Sequence, residues 1–111
     1  MYQVIKRDGK INEFDISKIT QAIKAAFDAQ EKNYNISLID FIALKVTADF
    51  ESKIKDDLIS VEDIQDSVEK VLSDAGYAEV AKAYILYRKQ REKVRNVNSA
   101  LLNYKDLVDN Y

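Results

Sequence analysis

The chain contains no cysteine, no histidine and no tryptophan, and only two of its 111 residues are glycine. Without cysteine there is no thiolate nucleophile, no disulfide and no zinc–thiolate site; without histidine there is no imidazole to move protons near neutral pH. Most enzymatic repertoires are excluded at this step. Secreted domains of this size often rely on disulfides, so their absence fits a reducing interior. No apolar run approaches the ~18 residues of a membrane span, and the opening stretch from Met1 to Gly9 lacks the apolar region of a signal peptide. The expectation is a soluble, cytoplasmic chain with no membrane partner.

What remains is enough to fold. Hydrophobic residues make up 47% and charged residues 32% of the chain, which supports a core and a wetted surface in a single domain. The net charge of −2 argues against nucleic acid as a partner. The charges are unevenly placed. Residues 49–79 carry Lys53, Lys55 and Lys70 against ten acidic residues, whereas residues 82–95 carry Lys82, Arg88, Lys89, Arg91, Lys93 and Arg95 against Glu92 alone. This polarity suits one anionic ligand, or equally two helix faces that attract each other.

Local patterning outlines the elements. Tyr2, Val4 and Ile5, then Ile11 and Phe14, flank Asp8-Gly9, a hairpin signal because glycine accepts the positive φ of a tight turn. Asp15 is a candidate N-cap, with Ser17 able to share the task, for a helix from residue 16 to about 30 striped by Ile16, Ile19, Ala22, Ile23, Ala26 and Phe27. A polar loop over residues 30–35 leads to a second helix, for which Ser37 is the expected cap with Asp40 as its reciprocal acid. Leu38, Phe41, Ile42, Leu44, Val46 and Phe50 are apolar on more than one side, which predicts a central helix. Leu58-Ile59 is long enough only to add a third strand to the hairpin. Ser60 with Asp63 matches the capping pattern for a third helix, and Gly76 marks its end. Residues 78 to about 93 predict a fourth helix ending in the basic cluster. The tail carries Leu101, Leu102, Leu107 and Val108 with no evident core to join. The predicted fold class is α+β, mainly helical: a four-helix bundle capped by a small β-hairpin or a three-stranded sheet.

Several residue groups carry potential chemistry. Asp56-Asp57 and Glu62-Asp63 are adjacent acids that point apart, unlike the facing carboxylates of a glycosidase, and read as solvated surface. Lys6 and Arg7 at a hairpin tip, set against the helix N-terminus at Asp15 to Lys18, converge cations and free N–H groups in a way that suits polyphosphate. Ordinary exposed charges on a hairpin are the simpler reading. Tyr77, Tyr84 and Tyr87 with Arg88 and Arg91 have the composition to stack single-stranded bases, but helical spacing favours core packing with snorkelling cations.

Four runs, in this order and spacing, resemble the signature of the ATP-cone: Val4 to Lys10; Phe14-Asp15 with Lys18-Ile19; Ala22-Ile23 with Lys24-Ala25; and Val80 to Arg88. The resemblance implies a regulatory domain of ribonucleotide reductases, also found in a repressor of their genes, that senses ATP against dATP. The chain lacks the zinc-ribbon cysteines of the repressor. Ala83 to Glu92 and Asn98 to Leu102 are most similar to the N-terminal region of anaerobic ribonucleoside-triphosphate reductase. On this reading residues 1–94 form the cone, and 95–111 a linker or helix leading to a catalytic domain outside the chain. That domain is the implied partner, and a nucleotide-dependent homo-oligomer is another that the family allows. A helical protein- or nucleic-acid-interaction module is the rival reading.

The resemblance also implies roles. Lys6 and Arg7 fall at triphosphate positions, Val4 against the base, and Lys18 at a phosphate-binding helix lysine. Asp15 matches the position that reads adenine, so cap and base reader compete for one carboxylate. Asn12 stands where some cones have Glu near the ribose, and Gln65 where many have His. Arg88, Lys89 and Arg91 are alternative candidates for a further phosphate cation. Mg²⁺ is expected to ride on the nucleotide, with no dedicated protein metal site. The chain by itself is expected to be catalytically inert.

Overall fold

The computed structural model describes residues 2–96 and Tyr111, with side chains described for residues 2–90 and Tyr111. The elements run β1 (Gln3–Ile5), β2 (Ile11–Glu13), α1 (Ile16–Ala29), α2 (Ile36–Phe50), a short 3₁₀ turn (Glu51–Lys53), β3 (Leu58–Ser60), α3 (Val61–Asp74) and α4 (Ala78–Asn96). No helix among the described residues is long and apolar enough to cross a membrane.

The hairpin closes as Asp8-Gly9 predicts. Gly9 N–H donates to Lys6 O at 2.9 Å, Lys6 N–H to Lys10 O at 2.8 Å, and Gly9 itself takes φ +86°. The Asp8 carboxylate accepts from Lys10 N–H at 3.0 Å and stiffens the tip. The sheet order is β2-β1-β3, with β1 antiparallel to β2 and parallel to β3. Val4 lies opposite both Asn12 and Ile59, so these residues share the sheet face turned toward the helices. The turn into β3 places Asp56 and Asp57 at φ 53° and 60°, a conformation that Asp tolerates better than most residues.

The helices form a ring in which α1 contacts α2, α2 contacts α3, α3 contacts α4 and α4 contacts α1. Each buries one stripe, although Ile16, expected in that of α1, is exposed in its first turn. Ile19, Ala22, Ile23, Ala26 and Phe27 of α1 face Ile39, Ile42, Ala43, Val46 and Phe50 of α2, Ile64, Val68 and Leu72 of α3, and Val80, Ala81 and Tyr84 of α4 across one core. Asp15 caps α1 and Ser60 caps α3 through a 3.1 Å bond from Asp63 N–H. Gly76, at φ +90°, ends α3.

Three expectations are corrected. The cap of α2 is Asn35, whose side chain accepts from Leu38 N–H at 2.8 Å; Ser37 lies inside the helix. Asn serves because its short amide reaches the orphan N–H groups one step before the helical register starts. Next, α2 is not central, since Phe41 and Leu44 are 56% and 61% exposed. A helix in a ring of four has only one inward side, whatever its composition. Finally, Tyr111 of the tail does join the core, being 2% exposed within the same cluster as Val4, Ile19 and Tyr84. Leu101, Leu102, Leu107 and Val108 lie outside the described residues.

Candidate functional site

The hairpin tip leans on the start of α3. Arg7 donates from Nη2 to Gln65 Oε1 at 2.7 Å and pairs through Nη1 with Glu62 Oε1 at 3.1 Å. Ser60 ends β3 and caps α3, which starts at Val61, so Glu62 and Gln65 fall one turn apart beside the sheet. Gln65 is 1% exposed, and its Nε2 has no hydrogen-bond partner among the described residues. A buried donor left unmatched costs ~1–3 kcal/mol, so this amide is a strained feature beside an arginine. Lys6, two residues beyond Val4, reaches Asn12: with the Asn12 amide turned to satisfy both ends, its oxygen accepts from Lys6 Nζ at 3.2 Å and its nitrogen donates to Ile11 O at 2.9 Å.

The N-terminus of α1 carries two further candidates, Asp15 and Lys18. Asp15 Oδ1 accepts from Ser17 N–H at 2.9 Å and from Ser17 Oγ at 2.7 Å. The Ser17 hydroxyl holds the Asp15 carboxyl below the usual carboxylate range; partial burial opposes this, while the Ser17 N–H and the Lys18 charge add to it. The capping bonds all fall on Oδ1. The second oxygen is therefore available for recognition, so cap and base reader need not exclude each other.

The other candidates separate from this group. Val4 is fully buried at the centre of the sheet, so in this conformation a base cannot touch its side chain from outside. The strand alternation that points Val4 toward the helices also seals it. Arg88 donates to Asp66 Oδ1 at 2.8 Å and to Glu69 Oε1 at 2.9 Å. Its partial burial disfavours the charge, but the bonds it donates to Asp66 and Glu69 outweigh that and raise its pKa. Arg88 is thus committed to holding α4 on α3, and the basic and acidic runs meet as mutually attracting helix faces at this point. Lys89 is exposed, and the Arg91 side chain lies outside the described residues. Tyr84 is buried and Tyr77 and Tyr87 pack against the core, as the packing reading expects. Clefts between α2 and α3 (Lys45, Asp49, Asp74), between α1 and α4 (Ala25, Ala83, Leu86) and beside Tyr2 (Leu44, Glu51, Asp57) take in none of the candidate residues.

Glu62 is the residue that sequence reasoning passed over. It read as solvated acid beside Asp63, whereas an acid in the first turn of a capped helix next to a sheet is a natural partner for a hairpin cation.

Comparison with known proteins places this geometry in context. The profile of the ATP cone domain matches residues 2–93. The chain is 39% identical over 98 residues to the ribonucleoside-diphosphate reductase subunit alpha of Chlamydia pneumoniae, covering 83% of this chain and 9% of that protein. It is 38% identical over 109 residues to the vitamin B12-dependent ribonucleoside-diphosphate reductase of Thermoplasma acidophilum, covering 94% and 14%. Similarity to the anaerobic ribonucleoside-triphosphate reductase of Haemophilus influenzae is 38% over 103 residues, covering 90% and 14%. The chain spans only about a tenth of the length of these curated relatives.

Proposed function

The chain belongs to the ATP-cone family, and on that premise we propose that it is the adenine-nucleotide sensor, ATP against dATP, of a ribonucleotide reductase. The observation that carries this reading is the Arg7–Gln65 contact: a hairpin cation and an incompletely satisfied buried amide at the joint between sheet and α3. Lys6 from the hairpin and Lys18 from the first turn of α1 would add charge to the same site on this reading. Phosphate oxygens would take the cations, and a nucleotide acceptor would satisfy Gln65 Nε2.

Glu62 does not prevent this. It is 41% exposed, and such half-solvated pairs contribute only ~0–1 kcal/mol, whereas a hydrogen bond to a charged group contributes ~1.5–3 kcal/mol. A triphosphate therefore displaces Glu62 from Arg7 at small cost. No group of three or more acids placed to hold a metal occurs among the described residues. Mg²⁺ bound by phosphate oxygens and water fits that surface better than a protein cage.

Regulation follows from linkage. A nucleotide alters a distant site only by binding one conformation better than another, and the coupling is reciprocal. The hairpin tip is the movable partner on this reading, because polar contacts of Arg7 with Gln65 and Glu62 join it to α3. The chain itself carries no catalytic chemistry on this reading; the partners are a reductase catalytic domain and, with nucleotide, further copies of the chain, in the cytoplasm. Identities to the reductase classes are of similar size. The anaerobic parent is favoured by the run Ala83 to Glu92 with Asn98 to Leu102.

Titration calorimetry with ATP, dATP, GTP and single-stranded DNA tests the assignment. Adenine nucleotides are expected to bind, and replacing Lys6 and Arg7 together by Ala should weaken ATP by at least about a hundredfold with circular dichroism unchanged. DNA binding without adenine-nucleotide binding would end the assignment.

A further inference from the structure

Six large apolar side chains stand exposed among the described residues, and three of them, Ile36, Phe41 and Leu44, lie on α2. The others, Ile11, Ile16 and Leu86, stand singly on β2, α1 and α4, which is ordinary for a protein surface. Phe41 and Leu44 differ because they share a seam. Ser37, Phe41, Leu44 and Ala48 are all exposed and follow one another at steps of four, three and four residues. That is the repeat of about 3.5 residues by which two helices pack side by side. It is also the second apolar side of α2, left outside by a ring that has one interior.

We infer that this face of α2 pairs with the same face of a second copy of the chain, the two helices running parallel about a two-fold axis. The charges beside the seam fit that occupant. Asp40 flanks it on one side and Lys45 on the other, and both are exposed. In a parallel pair opposite flanks meet with an offset of about five residues, so Asp40 lies against Lys45 of the partner subunit, and symmetry repeats the contact. In an antiparallel pair like flanks meet, and the two lysine sides would face each other. In the single copy Lys45 Nζ lies 5.2 Å from the centroid of the Phe41 ring and shields it from water. Pairing would carry that ammonium on to the partner's Asp40 and cover Phe41 and Leu44 with apolar side chains instead. None of the candidate nucleotide residues lies on α2, so this pairing needs no nucleotide.

Two large side chains from each copy make a small interface, below the ~1,200 Å² of stable complexes, so half-association is expected at roughly 0.1–1 mM. Sedimentation equilibrium of the 111-residue chain without nucleotide, from about 10 µM to about 1 mM, should show the mass rising from 12.8 kDa toward twice that value. Leu44→Glu should remove the rise. Asp40→Lys should weaken association about five- to tenfold, and adding Lys45→Asp to it should restore the original strength, since opposite flanks then attract again. Circular dichroism should be unchanged in every variant, because all three positions are exposed. A chain that stays monomeric throughout overturns the pairing and assigns the face to a different partner; a rise that survives Leu44→Glu overturns it too. Association that the double exchange does not restore also overturns it, because the parallel arrangement is what joins Asp40 to Lys45. With no nucleotide in any of these measurements, failure here leaves the adenine-nucleotide reading untouched.

Discussion

Arg7 has a structural role in the fold and, on the proposed function, a binding role as well. In the free domain it joins the hairpin to α3 through neutral Gln65 and anionic Glu62. On the proposed function the two bonds would have different fates once a phosphate binds: Gln65 does not compete for charge, and Glu62 does. Replacing Glu62 by Gln should therefore tighten triphosphate binding roughly two- to fivefold, read by calorimetry at low salt, with the effect shrinking as salt rises. An unchanged or weakened affinity would mean that Arg7 stays with Glu62 in the complex. Arg88 is the contrasting case. It answers two carboxylates of α3 and has no comparable reason to release them.

Helix ends carry the chemistry at the scale of elements. The first turn of α1 presents N–H groups beside Lys18, and that turn exists because Asp15 caps it. The Asp15 pKa is lowered in the folded chain, mainly by the Ser17 hydroxyl. A depressed carboxylate stabilises the fold above its unfolded pKa and loses that contribution as pH falls through the lower folded value. The window for Asp15 thus opens below the ordinary value of 3.8. Asp15→Asn keeps a good capping side chain without a titrating group. Urea denaturation from neutral pH down to acid should show a shallower acid limb in the variant and nearly equal stability at pH 7. A parallel loss in both chains would show that other carboxylates dominate the limb; Asp49, held down first by the Ser67 hydroxyl and also by Lys70, is one such group.

The whole molecule is a closed ring of helices with the sheet laid over one end, and its stability comes from one shared core. Phe27 sits in that core with Tyr34 and Tyr77 edge-on at 5.6 Å and 5.3 Å. Phe27→Ala should cost about 3–5 kcal/mol, a large part of the ~5–15 kcal/mol that holds a domain together. The urea midpoint should drop steeply. Because the residue lies away from the Arg7–Gln65 joint, folded variant protein should bind ATP with affinity near that of the parent chain.

Much was decided by the sequence alone: the elements and their type, the Asp8-Gly9 turn, the caps at Asp15 and Ser60, and the clustering of cations at the hairpin tip all rest on near neighbours, and near neighbours are visible in a linear string. The family resemblance implied nucleotide contacts for Lys6, Arg7, Asp15 and Lys18, which belong to the proposed function. Only the tertiary structure decided what depends on distant partners. Asn35 took the cap expected of Ser37 because helix register is settled by packing, and α2 turned one of its two apolar sides to solvent because a ring has one interior. Glu62 met Arg7, Arg88 was drawn to Asp66 and Glu69, and Tyr111 entered the core beside Phe14, across separations that no local pattern encodes. Periodicity reports which side of an element is apolar; which partner covers that side is set by chain closure and by the matching of charge and shape in three dimensions.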